Sequence, residues 1–292
     1  MADSSIGRKA ERQVQVIVLE TDVEKARQPL KKLPTVITSF HAEGYKRYGK
    51  NFIDSWLEYW SPAIRLVVYY EGEDSDFDMV HGVSWVPMET VEFLVDYLGS
   101  LQFPIMHGIV GDHYDINFDA RMGRKSFMLS HSVRKYGGKV FWIDADVVTV
   151  KHVPESFLDN CLPDDAMCCF LGRDGWYFTE SGFLGINGNY PKTSRFIKNL
   201  VHTFISGSIF AQAPRYNEHG QLTGGGWHDC IAFDCIRHLL GNGDEFVNLA
   251  KNVPHGTMHP FQNCAPGEYM QHLKGPERKE TGKLKTGDVI GH

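Results

Sequence analysis

The run Val140-Phe141-Trp142-Ile143-Asp144-Ala145-Asp146-Val147-Val148 constrains this chain more than any other stretch. Its apolar part lacks the alternation of a half-exposed strand, so it reads as a strand buried on both faces. It then stops at two carboxylates separated by one small residue. Carboxylates gathered at the end of a buried strand repel one another and lose hydration. A bound divalent cation relieves both costs, and oxygen ligands suit Mg²⁺ or Mn²⁺. Asp-x-Asp is a short pattern, so its weight depends on what surrounds it.

The flanking sequence predicts an α/β layer structure. Thr35 to Phe40 is β-branched and reads as a first buried strand. An amphipathic helix follows Gly44, with Tyr45, Tyr48, Phe52, Trp56 and Tyr59 at helical spacing. Ser61-Pro62 ends it, and Ile64 to Tyr70 makes a second strand. Strand–helix–strand order predicts a parallel sheet with crossover helices. Further on, Val83–Pro87 reads as a short strand, Glu89–Leu101 as a helix, and Gly108–Phe118 as a loop near a site. Arg121–Tyr136 reads as a helix stopped by Gly137-Gly138, which delivers Arg124 and Lys125 toward the acidic strand end. Beyond it, Val153–Leu158 reads as a short helix, Ala166–Leu171 and Phe183–Asn187 as strands, and 190–206 and 229–240 as helices. The expectation is one α/β domain over residues 34–292, with residues 1–33 as an N-terminal extension.

Composition narrows the function. The 292 residues carry 30 basic and 36 acidic side chains, a formal charge of −6, which disfavours a protein that lives on nucleic acid. No run approaches the roughly 20 apolar residues of a membrane span. Met1 to Glu11 is polar without a signal core, so the expected location is cytoplasmic. The six cysteines include no Cys-x-x-Cys pair, and the vicinal Cys168-Cys169 lies in an apolar run, so buried thiols are expected.

Three other segments carry chemistry. Glu180-Ser181-Gly182 opens the strand containing Gly185 and Asn187, placing a carboxylate beside residues small enough for close backbone approach. Gly224-Gly225-Gly226-Trp227-His228-Asp229 leads a pliable loop into a helix whose first residue is an Asp. His272-Leu273-Lys274-Gly275-Pro276-Glu277-Arg278-Lys279 combines an imidazole, a glycine turn and cations within eight residues. Set beside two metal-seeking carboxylates, these are the groups that a metal–diphosphate complex requires.

With these motifs in this order, the chain resembles a glycosyltransferase of the GT-A fold. The Asp-x-Asp strand end and His272-x-x-Gly275 bring it nearest to the glycogenin-like retaining family. Two departures are that Lys279 follows Gly275 by four residues, not three, and that the usual Pro-Trp after the Lys is missing, so either Arg278 takes its place or the loop has a different shape. The resemblance implies a Rossmann-like, mostly parallel central sheet flanked by helices, with a C-terminal loop closing the site. It implies a Mn²⁺ or Mg²⁺ cofactor on Asp144, Asp146 and His272, and a nucleotide-sugar donor, UDP-linked. Donor contacts would come from Thr38, Ser39, Phe40, Tyr45, Arg124, Lys125, Asp144, Ala145, Ser181, Gly225, Gly226, Gly275, Arg278 and Lys279. Asp229 and Glu180 would meet hydroxyls, either serving as base in an inverting enzyme, while His272-x-x-Gly275 leans to retention. The acceptor could be a glycan, a lipid-linked glycan, a protein or a modified nucleobase. Two other readings compete: a sugar-phosphate nucleotidyltransferase, disfavoured because Ser39-Phe40-His41-Ala42-Glu43 lacks phosphate-binding glycines, and a non-catalytic nucleotide-sugar-binding protein.

Overall fold

The computed structural model describes residues 33–100, 116–173, 178–206, 215–216, 222–224, 229–241, 243–250 and 260–273. The N-terminal extension up to residue 32, the loop over 108–115, Gly225, Gly226, Gly275, Arg278, Lys279 and the closing loop lie outside the described residues.

The described strands are β1 Thr35–His41, β2 Arg65–Glu71, β3 Val83–Pro87, β4 Lys139–Ile143, β5 Val147–Thr149, β6 Cys168–Leu171, β7 Glu180–Asn187, β8 Arg215–Tyr216, β9 Leu222–Gly224, β10 Phe246–Asn248 and β11 Met270–His272. Seven of them build one sheet in the order β10-β6-β7-β4-β1-β2-β3. The β1–β2, β2–β3, β1–β4 and β6–β10 pairs are parallel, and β7 runs antiparallel to both β4 and β6. The chain is thus an α/β protein with a mostly parallel sheet, as the sequence predicts.

Strand β4 sits in the middle and has a core on each side. Val140 and Trp142 belong to one apolar cluster, Phe141 and Ile143 to the other, as the period of two requires. The main helices are α1 Lys50–Tyr59, α2 Leu94–Ser100, α3 Ile116–Tyr136, α4 Phe157–Cys161, α5 Thr193–Ile205 and α6 Asp229–Leu239. Side chains of α2, α3, α5 and α6 fill the Trp142 face; those of α1 and α4 fill the Phe141 face. Helix α1 is reached through a turn at Ala42–Gly44 and a π turn at Tyr45–Gly49. A Cβ on Gly49 would stand 2.7 Å from the Phe40 ring, so glycine is what lets the helix rest on β1.

Several boundaries differ from the sequence reading. The helix expected from Glu89 starts only at Leu94, because Phe93 adopts φ 63° after a tight turn at Met88–Thr90. Helix α3 begins at Ile116 rather than Arg121, and the helix read at Val153 begins at Phe157. The buried strand ends before the carboxylates as expected, and a second short strand that the sequence reading did not include follows them at Val147–Thr149. The last registered pair of β4 in the sheet is Ile143 with Phe183, followed by one bond from Asp144 N–H to Gly182; the chain turns at Asp144 with Val147 N–H donating to its carbonyl at 3.0 Å, and β5 pairs with β11. All six cysteines are free thiols. Burial pushes Cys168 and Cys169 well above the ordinary thiol range and Cys161 to about 12, so these remain protonated. Among the described residues no helix is long and apolar enough to cross a membrane.

Candidate active site

The site lies where β4 ends. Asp144 follows the last residue of the strand, and its backbone N–H still donates to the Gly182 carbonyl of β7 at 2.9 Å. Its side chain continues the face of Trp142, two residues earlier. Asp144 Oδ1 accepts from Trp142 Nε1 at 2.6 Å and from Lys125 Nζ at 3.1 Å.

The β5–β11 pairing brings in the imidazole. It sets His272 opposite Val147, and Leu273 N–H donates to the Asp146 carbonyl at 2.8 Å. His272 is 1% exposed, with Nε2 at 2.9 Å from Asp146 Oδ1 and 3.7 Å from Asp144 Oδ2. A histidine 126 positions away in sequence is therefore held against both carboxylates. Glu180 completes the ring: its Oε1 lies 3.7 Å from His272 Nδ1, while Oε2 pairs with Arg173 at 2.6 Å. Arg173 had no part in the sequence reading, and nothing in the local pattern marks it.

Gly182 makes room for this arrangement. A Cβ there would stand 2.8 Å from His272 Cε1 and 2.9 Å from Nδ1. Gly182→Ala should push the ring out of register with both carboxylates. The expected result is Mn²⁺ affinity about 10–100-fold weaker, with the melting temperature falling only modestly. Isothermal titration with Mn²⁺ checks it, and an unchanged affinity would mean that His272 does not bind the ion.

Lys125 organises the other wall. Its ammonium meets Asp144 Oδ1, the Ser181 carbonyl at 2.9 Å and Asp229 Oδ2 at 2.7 Å, as many oxygens as it has hydrogens. Burial opposes this charge, yet Asp144 and Asp229 outweigh burial and hold the Lys125 pKa well above that of an ordinary lysine. Asp229, at the start of α6, is itself held in place by that helix. Asp234 on the same helix accepts from Thr179 N–H and hydroxyl at 2.8 and 2.6 Å, fastening α6 to the residue before β7. Arg124 turns elsewhere, forming a two-pronged ion pair with Glu71 at the end of β2.

The donor residues expected on β1 and the turn after it, and His41, which was not among them, separate by burial. Thr38, Phe40 and Tyr45 are buried, Phe40 and Tyr45 within an aromatic cluster that includes Phe52 and Phe77. Ser39 and His41 reach the partly exposed surface. Ser39 lies two residues beyond Ile37, the β4 partner of Trp142, and so shares the face of Asp144. Ala145 and Ser181 are half-buried at the strand ends.

The donor set fits a divalent cation. Asp144, Glu180 and His272 offer ligand atoms all within 4.8 Å of one another, and Asp146 adds a fourth. His272 Nε2 and Asp146 Oδ1 form a hydrogen bond at 2.9 Å, a separation that neighbouring ligands of an ion with bonds of about 2.1 Å could also keep. An imidazole among carboxylates suits Mn²⁺ better than Mg²⁺, which favours oxygen and water. To ligate through Nε2, His272 must carry its proton on Nδ1, the side facing Glu180.

No protein-family model and no curated protein matches the chain. Solved structures similar to it include mouse xyloside xylosyltransferase 1, at TM-score 0.45 and 13% identity over 74% of this chain and 84% of that one. The galactosyltransferase LgtC, in complex with donor and acceptor sugar analogues, aligns at 0.46 and 15% over 86% and 96%. The glycosyltransferase GlyE of Streptococcus pneumoniae aligns at 0.40 and 12% over 74% of this chain, which spans 44% of that structure. All three are glycosyltransferases by name. Every one of these TM-scores is below 0.5, so donor, acceptor and metal must be argued from the site.

Proposed function

We propose that the chain is a divalent-metal-dependent glycosyltransferase that moves a sugar from a nucleotide diphosphate, UDP in the first instance, to an acceptor hydroxyl. The observation that carries this reading is the convergence of Asp144, Asp146, Glu180 and His272 at the carboxyl end of the central strand. Three carboxylates gathered around one imidazole in a partly buried space repel one another, Lys125 and Arg173 each offset one of them, and a divalent cation beside Asp146 and His272 would relieve the rest. When bound, the cation supplies charge neutralisation to the departing diphosphate.

The protein's own groups then divide the work. Asp144, Asp146 and His272 hold the ion. Lys125 holds Asp144 and Asp229 in a fixed relation, so that hydroxyls of the transferred sugar meet a preset pair of carboxylates. Ser39 and His41 offer polar groups at the end of β1, on the side where a nucleoside would extend. The resemblance assigns the diphosphate to Arg278 and Lys279, which lie outside the described residues. In the transfer, the bond from the anomeric carbon to the diphosphate oxygen breaks and a bond to the acceptor oxygen forms. The acceptor proton leaves with the nucleoside diphosphate.

The two carboxylates considered as bases are both committed to ion pairs, Asp229 with Lys125 and Glu180 with Arg173. A displacement that demands no enzyme base, and so retention, fits that arrangement better than inversion. Incubation with Mn²⁺ and a panel of nucleotide sugars should release nucleoside diphosphate slowly from one donor, and only while the metal is present. No release from any donor, with no thermal stabilisation by UDP plus Mn²⁺, would overturn the proposal. Pyrophosphate formed from UTP and a sugar phosphate would replace it with a nucleotidyltransferase.

A further inference from the structure

We infer that Trp142 is a positioning residue of the metal site, its indole N–H fixing which oxygen of Asp144 faces the cation. The inference rests on the metal-site reading above and goes beyond the ligands themselves. Trp142 and Asp144 project from the same face because they are two residues apart at the end of one strand. The indole Nε1–H donates to Asp144 Oδ1 at 2.6 Å, and Lys125 donates to the same oxygen at 3.1 Å. With Oδ1 held by two donors, Oδ2 is the oxygen turned toward His272 Nε2, at 3.7 Å.

The same indole serves Lys125. The ammonium stands 5.0 Å from the Trp142 ring centroid, so one side chain offers its edge to the carboxylate and its face to the cation. Trp142 is 4% exposed and packed in the cluster that includes Phe127 and Leu184, so it cannot swing away from Asp144 without opening the core. A phenylalanine would fill most of that space. Only the indole also carries a donor, and without it the half-buried Asp144 carboxylate keeps Lys125 alone on Oδ1 and is held less firmly in one orientation. Outer-shell hydrogen bonds of this kind orient metal ligands.

Trp142→Phe keeps the aromatic face and removes the N–H. Mn²⁺ alone is titrated into the full chain, and the free ion is counted by electron paramagnetic resonance. The expected result is affinity about tenfold weaker than wild type. Phe141→Leu is the packing control: Phe141 is fully buried on the opposite face of the same strand. It should lower thermal stability and leave Mn²⁺ affinity unchanged. Equal affinity for wild type and Trp142→Phe overturns the inference alone, as does an equal loss in Phe141→Leu. A wild-type protein that binds no Mn²⁺ overturns the metal-site reading and this inference with it. Independently of any variant, one of the six tryptophan indole N–H signals should shift as Mg²⁺ is added to wild type. Six unmoved signals at a Mg²⁺ concentration that stabilises the protein would also overturn it.

Discussion

Asp146→Ala should abolish the joint stabilisation of the protein by UDP and Mn²⁺. A ligand at one hundred times its dissociation constant stabilises by about 2.7 kcal/mol. For a domain of this size that corresponds to a melting shift of roughly 4–5 °C. Asp146 is well placed for a clean test. Its backbone carbonyl, not its carboxylate, accepts from Leu273, so the β5–β11 pairing survives the substitution. The carboxylate contributes Oδ1 to the space in front of His272 Nε2. Removing it takes away one charge from the ion and the nearest neighbour of the imidazole. Differential scanning fluorimetry with UDP, Mn²⁺, both and neither gives the answer. A variant that responds to the pair like wild type would show that the metal is held elsewhere.

Lys125→Met should cost about 3–5 kcal/mol of stability, the range found when one partner of a buried ion pair is removed. Methionine keeps the length and apolar contact of the stem but leaves Asp144 and Asp229 without their shared cation. Sugar transfer should fall with it, because the relation between the two carboxylates is no longer fixed. The pH dependence gives a second readout. Lys125 has a folded pKa above that of the unfolded chain, so its contribution is fully present below the unfolded value of about 10.4 and is lost as pH rises through the folded value. Chemical denaturation should therefore show a wild-type advantage that is constant from neutral pH to about pH 10 and shrinks above it. A deficit under 1 kcal/mol, or one independent of pH throughout the alkaline range, would mean that Lys125 is not the charge holding these carboxylates.

Much of the fold was legible because burial writes a pattern. The runs at 35–40, 64–70, 140–143 and 166–171 lack alternation, and each became a strand with both faces covered. Helix boundaries were less legible, since a single left-handed residue at Phe93 decides where α2 begins and no apolar period encodes it. The short strand β5 lies beyond the carboxylates that end β4, and three residues give no period to read. Its partner β11 is too short to show a period of its own.

The same division runs through the site. Asp144 and Asp146 stood out because charge at the end of an apolar run is costly. Trp142 could have been found by the rule that residues two apart share a strand face, but its donor role needed the carboxylate beside it. Arg173 could not have been found, since an arginine near a strand gives no signal until its partner is placed. Thr38 and Phe40 near the end of β1 and Tyr45 in the π turn after it show the opposite, since their side chains are buried in the core.

By itself the sequence determined the α/β class, the central buried strand and the carboxylates at its tip. These follow from local hydrophobic pattern and from the cost of placing charge next to it. Only the tertiary structure decided which residues face those carboxylates. A pairing of three residues, β5 with β11, carries His272 across 126 positions to Asp146. The packing of α3 against β4 sends Lys125, rather than its neighbour Arg124, to Asp144, because adjacent helical residues point about 100° apart and only one of them can face the strand end. Contacts between distant segments depend on the register of strands and the rotation of helices, and a single local stretch of sequence specifies neither.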